Sequence, residues 1–270
     1  MRTLLCSALI GLFLAPVVHG GNPLADGIAT ATGLGTADPG MARNRVHGKM
    51  LARRAAVADA QRALLEVVQG VRITSGTTVK DAQLESDVIA NRVKGLLRNY
   101  FTLSENLTEE EGTWLAEVTL GICVSRTAPP CKNSPTINEA VFDQLKRTVP
   151  SGLYRSSATP ETSFSGLVVD LTESDFVPLL DARLVDGSGK ELYGPGHYNG
   201  RGGDWLHWAR SVEQAERNHE VVGSTPLVVK ATTSPGEPGI ALGDADAEQV
   251  FAADAGSQFL AEGRVILVTN

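Results

Sequence analysis

The chain has 270 residues, 42% of them hydrophobic and 20% charged, a globular composition with material for one large or two ordinary domains. Its formal charge of −7 argues against nucleic acid as a partner, because phosphate contacts require a basic surface.

Residues 1–20 have the form of an export signal. Arg2 gives a positive start, residues 4–18 (LLCSALIGLFLAPVV) are almost unbroken apolar sequence, and Val18-His19-Gly20 closes the run. Cleavage between Gly20 and Gly21 is expected. The run is shorter than the roughly twenty apolar residues a spanning helix needs, which favours removal over retention as an anchor. No other segment is apolar enough to span a bilayer. Cys6 lies near the start of the run rather than after it, so lipid attachment there is not expected. Loss of residues 1–20, whose only charge is Arg2, takes the net charge from −7 to −8.

Two of the three cysteines then remain, Cys123 and Cys131. An even pair in an oxidising compartment reads as one disulfide, with free thiols as the alternative. On the loop-entropy model the bridge contributes ~2.5 kcal/mol. A metal pair is disfavoured, since no further Cys or suitably spaced His completes a tetrahedral set.

Residues 21–42 are small and Gly-rich and read as a flexible leader. Residues 43–70 read as a long helix, with Val46, Met50, Val57, Ala60, Leu64 and Val68 as its apolar face. Asn44 is positioned to cap it and Gly70 to end it in a left-handed turn. Arg43, Arg45, Lys49, Arg53, Arg54 and Arg62 oppose a single Asp59 on the other face. Such a face is either solvated or a dock for an anionic surface such as lipid headgroups.

Val71-Arg72-Ile73-Thr74 alternates like a strand, turned by Ser75-Gly76. Leu84, Val88, Ile89 and Val93 mark a second helix closed near Gly95. Leu97, Phe101, Leu103 and Leu107 are expected on one face of a strand, and Glu109-Glu110-Glu111-Gly112 makes a hairpin turn. On the partner strand Trp114, Ala116, Val118, Leu120, Ile122 and Val124 point one way, which puts Cys123 on the opposite face, towards Cys131. Residues 129–163, broken by Pro129, Pro130, Pro135, Pro150 and Pro160, read as a linker with a short helix at 137–147.

A second unit begins near Phe164. SGLVVDL is strand-like, and Leu184-Val185, Asp186-Gly187-Ser188-Gly189 and Lys190-Glu191-Leu192-Tyr193 form a hairpin signal. A glycine-rich loop (GPGHYNGRGGDW), a polar helix at 211–219, the strand PLVVKAT, a helix at 245–256 capped by Asp244 and the strand GRVILVT complete it. The expected fold class is α+β with two domains, each with helices packed on a small, mainly antiparallel sheet. The expected divisions are signal 1–20, leader 21–42, first domain 43–128, linker 129–163 and second domain 164–270.

Two blocks resemble known families. ARRAAVADAQRALLEVVQGVRI, TTVKD, SDVIANRVKGLLRNYFTL and WLAEVTLGICV, within residues 52–124, resemble the LPP-twenty lipoprotein family and the N-terminal domain of flagellar assembly protein T. SGLVVDL (165–171), PLLDARLVDGSGKELYG (178–194), PLVVKA (226–231) and DADAEQVF with FLAEGRVILVT (244–269) look like a C-terminal region of envelope proteins of unassigned role. The resemblance implies a non-enzymatic envelope component, in some members linked to the flagellar basal body or the outer membrane. It implies no catalytic or ligand residues. The lipid-modified cysteine that follows the signal in the lipoproteins is absent here.

Motifs for chemistry are sparse. His197, Asp204 and His207 share one loop, but a metal site needs ligands on rigid, supported elements. His219-Glu220 begins like a zinc-protease helix, yet Gly223 stands where the second His is required. No G-x-S-x-G elbow occurs, and Gly200-Arg201-Gly202-Gly203 lacks the flanking elements of a phosphate loop. Tyr198, Trp205 and Trp208 are a candidate contact patch, with core packing as the alternative. The chain is therefore expected to be periplasmic or secreted, to use no cofactor or metal, and to act by binding other envelope proteins, flagellar basal-body or outer-membrane components among them. The rivals are a hydrolase of envelope polymers with a non-motif active site and a small-ligand carrier with a closed apolar cavity between its domains.

Overall fold

The computed structural model describes residues 21–147, 152–200, 204–233 and 239–270. The predicted signal, with Gly20, lies outside the described residues. A short helix α1 (Pro23–Asp26), capped by Asn22, leads into β1 (Ile28–Thr36). β1 corrects the flexible leader expected at 21–42. It runs antiparallel to β3 (Thr113–Cys123), which also pairs with β2 (Phe101–Glu110), giving the order β1-β3-β2. Its small residues are selected by the helix above it. A Cβ on Gly33 would overlap backbone atoms of Ala56 and Ala60, and one on Gly35 backbone atoms of Ala52 and Ala56.

That helix is α2 (Arg45–Gly70), with Asn44 accepting from the His47 amide at 2.8 Å. Its buried ladder is Gly48, Ala52, Ala56, Ala60, Leu64 and Val68. Ala60, Leu64 and Val68 are as expected, whereas Val46 and Met50 face solvent. The contact is close enough that only small side chains fit beneath the first four turns. Gly70 does not adopt the left-handed conformation; the chain leaves the helix through Val71 in an extended conformation.

The expected strand at 71–74 is reduced to one bridge, Arg72 to Thr78. Its carbonyls instead receive the Leu180 amide at Arg72 (3.0 Å) and the Asp181 amide at Ile73 (2.8 Å). The second helix is two, α3 (Val79–Glu85) and α4 (Asp87–Arg98), because Ser86 ends one and caps the other. Leu84 and Val88 point outward, Val79, Ala82, Ile89, Val93 and Leu96 inward, and Gly95 lies inside α4 rather than beyond its end. Leu97 belongs to α4, and a bulge between Thr102 and Ser104 leaves Leu103 exposed. The hairpin turns at Glu111 (φ 49°) and Gly112 (φ 81°), the two positive-φ positions of a two-residue turn that follows strand twist. Ala116, Val118, Leu120, Ile122 and Val124 are buried on one face, as the two-residue period requires.

Residues 129–147 are built into the molecule. A 3₁₀ turn (Pro129–Cys131) carries Cys131 to Cys123, and the two are joined by a disulfide. α5 (Ile137–Leu145) buries Ile137, Val141 and Leu145. Further on, the Tyr154 amide donates to the Glu191 carbonyl and the Glu161 amide to the Ala252 carbonyl, so this stretch straps the second unit.

The second unit contains β4 (Gly166–Asp170), β5 (Arg183–Val185), β6 (Glu191–Tyr193), β7 (His207–Ala209), α6 (Val212–Glu216), α7 (His219–Val222), β8 (Pro226–Thr233), β9 (Gly239–Leu242), α8 (Asp244–Ser257) and β10 (Val265–Val268). The sheet order is β6-β5-β9-β8-β4-β10-β7. The fold is α+β, and the first sheet is antiparallel. The second sheet is mixed, which corrects the mainly antiparallel expectation. β4–β8, β4–β10, β7–β10 and β5–β9 are parallel, and only β5–β6 and β8–β9 are antiparallel. GLVVD and VILV are continuous apolar runs because β4 and β10 are covered on both faces. Val168, Ile266 and Val268 meet Ala215 of α6 and Val222 of α7 on one side. On the other, Leu167, Val169 and Leu267 join a cluster that continues without a break through α8 and the first unit. α8 begins at Asp244 with Gly243 in the cap position and no side-chain cap bond, so Asp244 is its first residue rather than its cap.

Candidate functional site

The two units meet along a seam organised by the loop after β3. The disulfide anchors this loop at both ends, and the Ser125 amide donates to the Gly27 carbonyl at 3.2 Å. Arg126 reaches across the seam. Its Nη1 bonds Asp204 Oδ2 at 2.9 Å and its Nη2 bonds Glu139 Oε2 at 3.0 Å. Lys132 pairs with Glu220 at 3.1 Å and Asp26 with Arg210 at 2.7 Å, while Lys146 donates to the Tyr198 carbonyl at 3.2 Å.

Arg126 stands on the ridge between two open grooves. The larger, about 600 Å³, lies between α4 and α5 and is lined in part by Arg92, Gly95, Asn99, Asn133 and Asp143. The other, about 390 Å³, is lined in part by Thr127, Lys132, Asp204, His207, Asn218 and Arg264. In the second groove Thr127 Oγ1 is 3.3 Å from His207 Nδ1, and Ser125 Oγ donates to Thr127 Oγ1 at 3.0 Å. Burial pushes the His207 pKa below the ordinary imidazole value, against the opposing pull of the Asp204 charge, so the ring is neutral at pH 7. A hydroxyl, an imidazole and a carboxylate are thus neighbours, but the carboxylate is committed to Arg126.

The candidate metal set does not assemble. Asp204 serves Arg126, His207 meets Thr127, and His197 Nδ1 accepts from the Gly194 amide at 3.2 Å beside Glu191. Among the described residues no group of three or more His, Cys, Asp or Glu is placed to hold a metal ion. His219 Nδ1 lies 2.8 Å from the Gly223 carbonyl at the end of α7. The stretch Gly200-Arg201-Gly202-Gly203 falls largely outside the described residues.

The aromatic contact patch is also corrected. Trp205 is only 2% exposed, and Tyr193 donates its hydroxyl to the Trp205 carbonyl. Trp208 stacks on Phe176 at 5.9 Å, and Tyr198 meets Phe142 of α5 edge-on at 5.8 Å. These side chains are core at the seam, where their large apolar area is best removed from water.

A charged cluster that the sequence reading missed also ties the units together. Arg183, mostly buried, bonds Asp181 Oδ1 at 2.7 Å, Glu191 Oε2 at 2.6 Å and the Leu145 carbonyl of α5 at 3.0 Å. Burial raises the Asp181 pKa, with the Arg183 hydrogen bond opposing it. The signal for it is the two-residue spacing of Asp181 and Arg183, with Glu191 on the partner strand of the same hairpin, where it pairs with Val185.

Residues 166–270 match the family model described as the second domain of Treponema pallidum Tp0624. No curated protein matches the chain. The match begins at the first residue of β4, so it takes in the whole second sheet and both helical layers on it. It contains Asp204 and His207 but not Arg126 or Thr127, so the seam needs residues from outside the matched segment.

Proposed function

We propose that this chain is an exported, non-enzymatic component of the cell envelope that binds a partner along the seam grooves. One observation carries this reading. The charged groups of the seam are engaged with one another, and the amide side chains Asn99, Asn133 and Asn218 line open grooves. Such a lining recognises by hydrogen bonding and shape rather than by supplying a free nucleophile and base. The disulfide suits an oxidising compartment, and the resemblance of residues 52–124 to the LPP-twenty family and to flagellar assembly protein T points to basal-body or outer-membrane components as partners.

A second reading, a hydrolase of envelope polymers, draws on the Thr127–His207 contact. Its weakness is Asp204, which Arg126 holds on both carboxylate oxygens, at 3.4 Å through the backbone amide and 2.9 Å through Nη1.

Photo-crosslinking residues placed at Asn99 and Asn133 in the native envelope test the binding reading, with exposed Lys94 as control. Adducts with an envelope protein from both groove positions, absent at Lys94, are expected. Groove adducts no stronger than the control count against it. So does cell-wall hydrolysis by the purified protein that Thr127→Ala and His207→Gln each abolish.

A further inference from the structure

The basic face of α2 is only partly neutralised inside the molecule. Arg45 bonds Glu109 at 2.7 Å, Arg53 bonds Glu105 at 2.9 Å, and Arg62 pairs with Asp59 at 2.9 Å. Among the described residues Arg43, Lys49 and Arg54 have no carboxylate partner; the Lys49 ammonium lies 5.5 Å from the Trp114 ring centre. Residues 41–58 hold five Arg and Lys and no acid, within a chain of net charge −7.

The same end of α2 exposes large apolar side chains. Met41 is 71% exposed, Val46 69% and Met50 48%. Val46, Met50 and Arg54 follow one another at four-residue spacing, about 200° around the helix from buried Gly48, Ala52 and Ala56. The counter-charges Glu105 and Glu109 sit on β2, where Arg53 and Arg45 engage them. Exposed apolar residues flanked by unpaired cations on the outside of a helix are the pattern of a segment lying in a lipid headgroup layer.

We infer that the outer face of the first three turns of α2, with Met41, is a docking surface for an anionic phospholipid bilayer. Met41, Val46 and Met50 enter the headgroup–acyl boundary, and Arg43 and Arg54 extend their stems along it towards lipid phosphates. Nucleic acid is the poorer occupant because phosphate contacts leave the apolar residues unused. A second copy is poorer because a two-fold contact sets the same cations against each other. The surface is read from α2 and the residues just before it, and stands or falls separately from the seam.

The test is flotation of the protein, residues 21–270, with two vesicle types. One is phosphatidylcholine alone, and the other equal parts phosphatidylcholine and phosphatidylglycerol. Binding to the mixed vesicles only, reversed by salt, is expected. Arg43→Glu combined with Arg54→Glu should lower partitioning roughly ten-fold or more. Met50→Asp should also lower it, and all variants should keep the parental circular dichroism and Tm, since these positions are exposed. Equal binding to both vesicle types, no binding to the mixed vesicles, or undiminished binding by the double variant overturns the inference. So does self-association or nucleic-acid binding that the same substitutions abolish in a protein that ignores vesicles.

Discussion

Replacing Arg183 by Met keeps an unbranched apolar stem and removes the guanidinium on which two carboxylates depend. Asp181, Arg183 and Glu191 side chains are 7%, 12% and 4% exposed, so solvent cannot take over the lost partner. Breaking a buried pair from one side costs about 3–5 kcal/mol, and here the bond to the Leu145 carbonyl goes with it. For a chain of this size that corresponds to a Tm lower by roughly 6–20 °C. The loss should also depend on pH. In the variant, Asp181 is desolvated without its cation, so its folded pKa rises further above the unfolded value near 4. The folded state then holds the proton more tightly than the unfolded state, and stability rises as pH falls from neutrality towards that unfolded value. Urea melts of parent and variant at pH 7 and pH 5 measure this directly, and the difference between the two proteins should shrink at pH 5. A variant within about 1 kcal/mol of the parent, or a gap that ignores pH, refutes the assignment of Arg183 as the buried tie between the units.

Gly33→Ala places a methyl group against the Ala56 and Ala60 backbone, which cannot yield as a side-chain tip would. Chemical denaturation should show a loss of about 2–3 kcal/mol, and a neutral outcome would mean that β1 is not held under α2. His207 has a folded pKa below its unfolded value, so its contribution is intact above pH ~6.5 and is lost as pH falls through the lower folded value. His207→Gln should therefore flatten the fall in Tm between pH 7 and pH 5, and an unchanged slope would contradict the burial of the ring. Trp205→Ala should cost about 3–5 kcal/mol, as for a core tryptophan. An unchanged melt would return it to the surface.

The parts of the fold that were legible in the sequence are those in which burial selects large apolar residues at a clear period. The β2–β3 hairpin and the inward face of β3 follow from alternation and the E-E-E-G turn. The apolar runs of β4 and β10 mark strands but not their direction, since a strand covered on both faces carries no alternation to read. β1 was hidden because close helix–sheet packing selects glycine and alanine, the composition that otherwise signals flexibility. The same packing misplaced the inner face of α2, where Ala52 and Ala56 are buried while Val46 and Met50 are not. At the seam, Tyr198, Trp205 and Trp208 are buried against Phe142, Tyr193 and Phe176 respectively, partners that no local pattern supplies. Asp181, Arg183 and Glu191 carry no local mark of burial, because their mutual neutralisation exists only after folding. Arg126 and Thr127 lie in a Pro-rich loop whose position is set by the disulfide and by Asp204, 78 residues away.

Intact mass of the protein recovered from the cell envelope, alkylated without prior reduction, is the most direct check on export into an oxidising space. The expected mass is that of residues 21–270 less two hydrogens, with no alkyl group added until reductant frees Cys123 and Cys131. A polypeptide that keeps its first twenty residues and takes alkyl groups on both of these sulfurs, found in the cytosolic fraction, contradicts it.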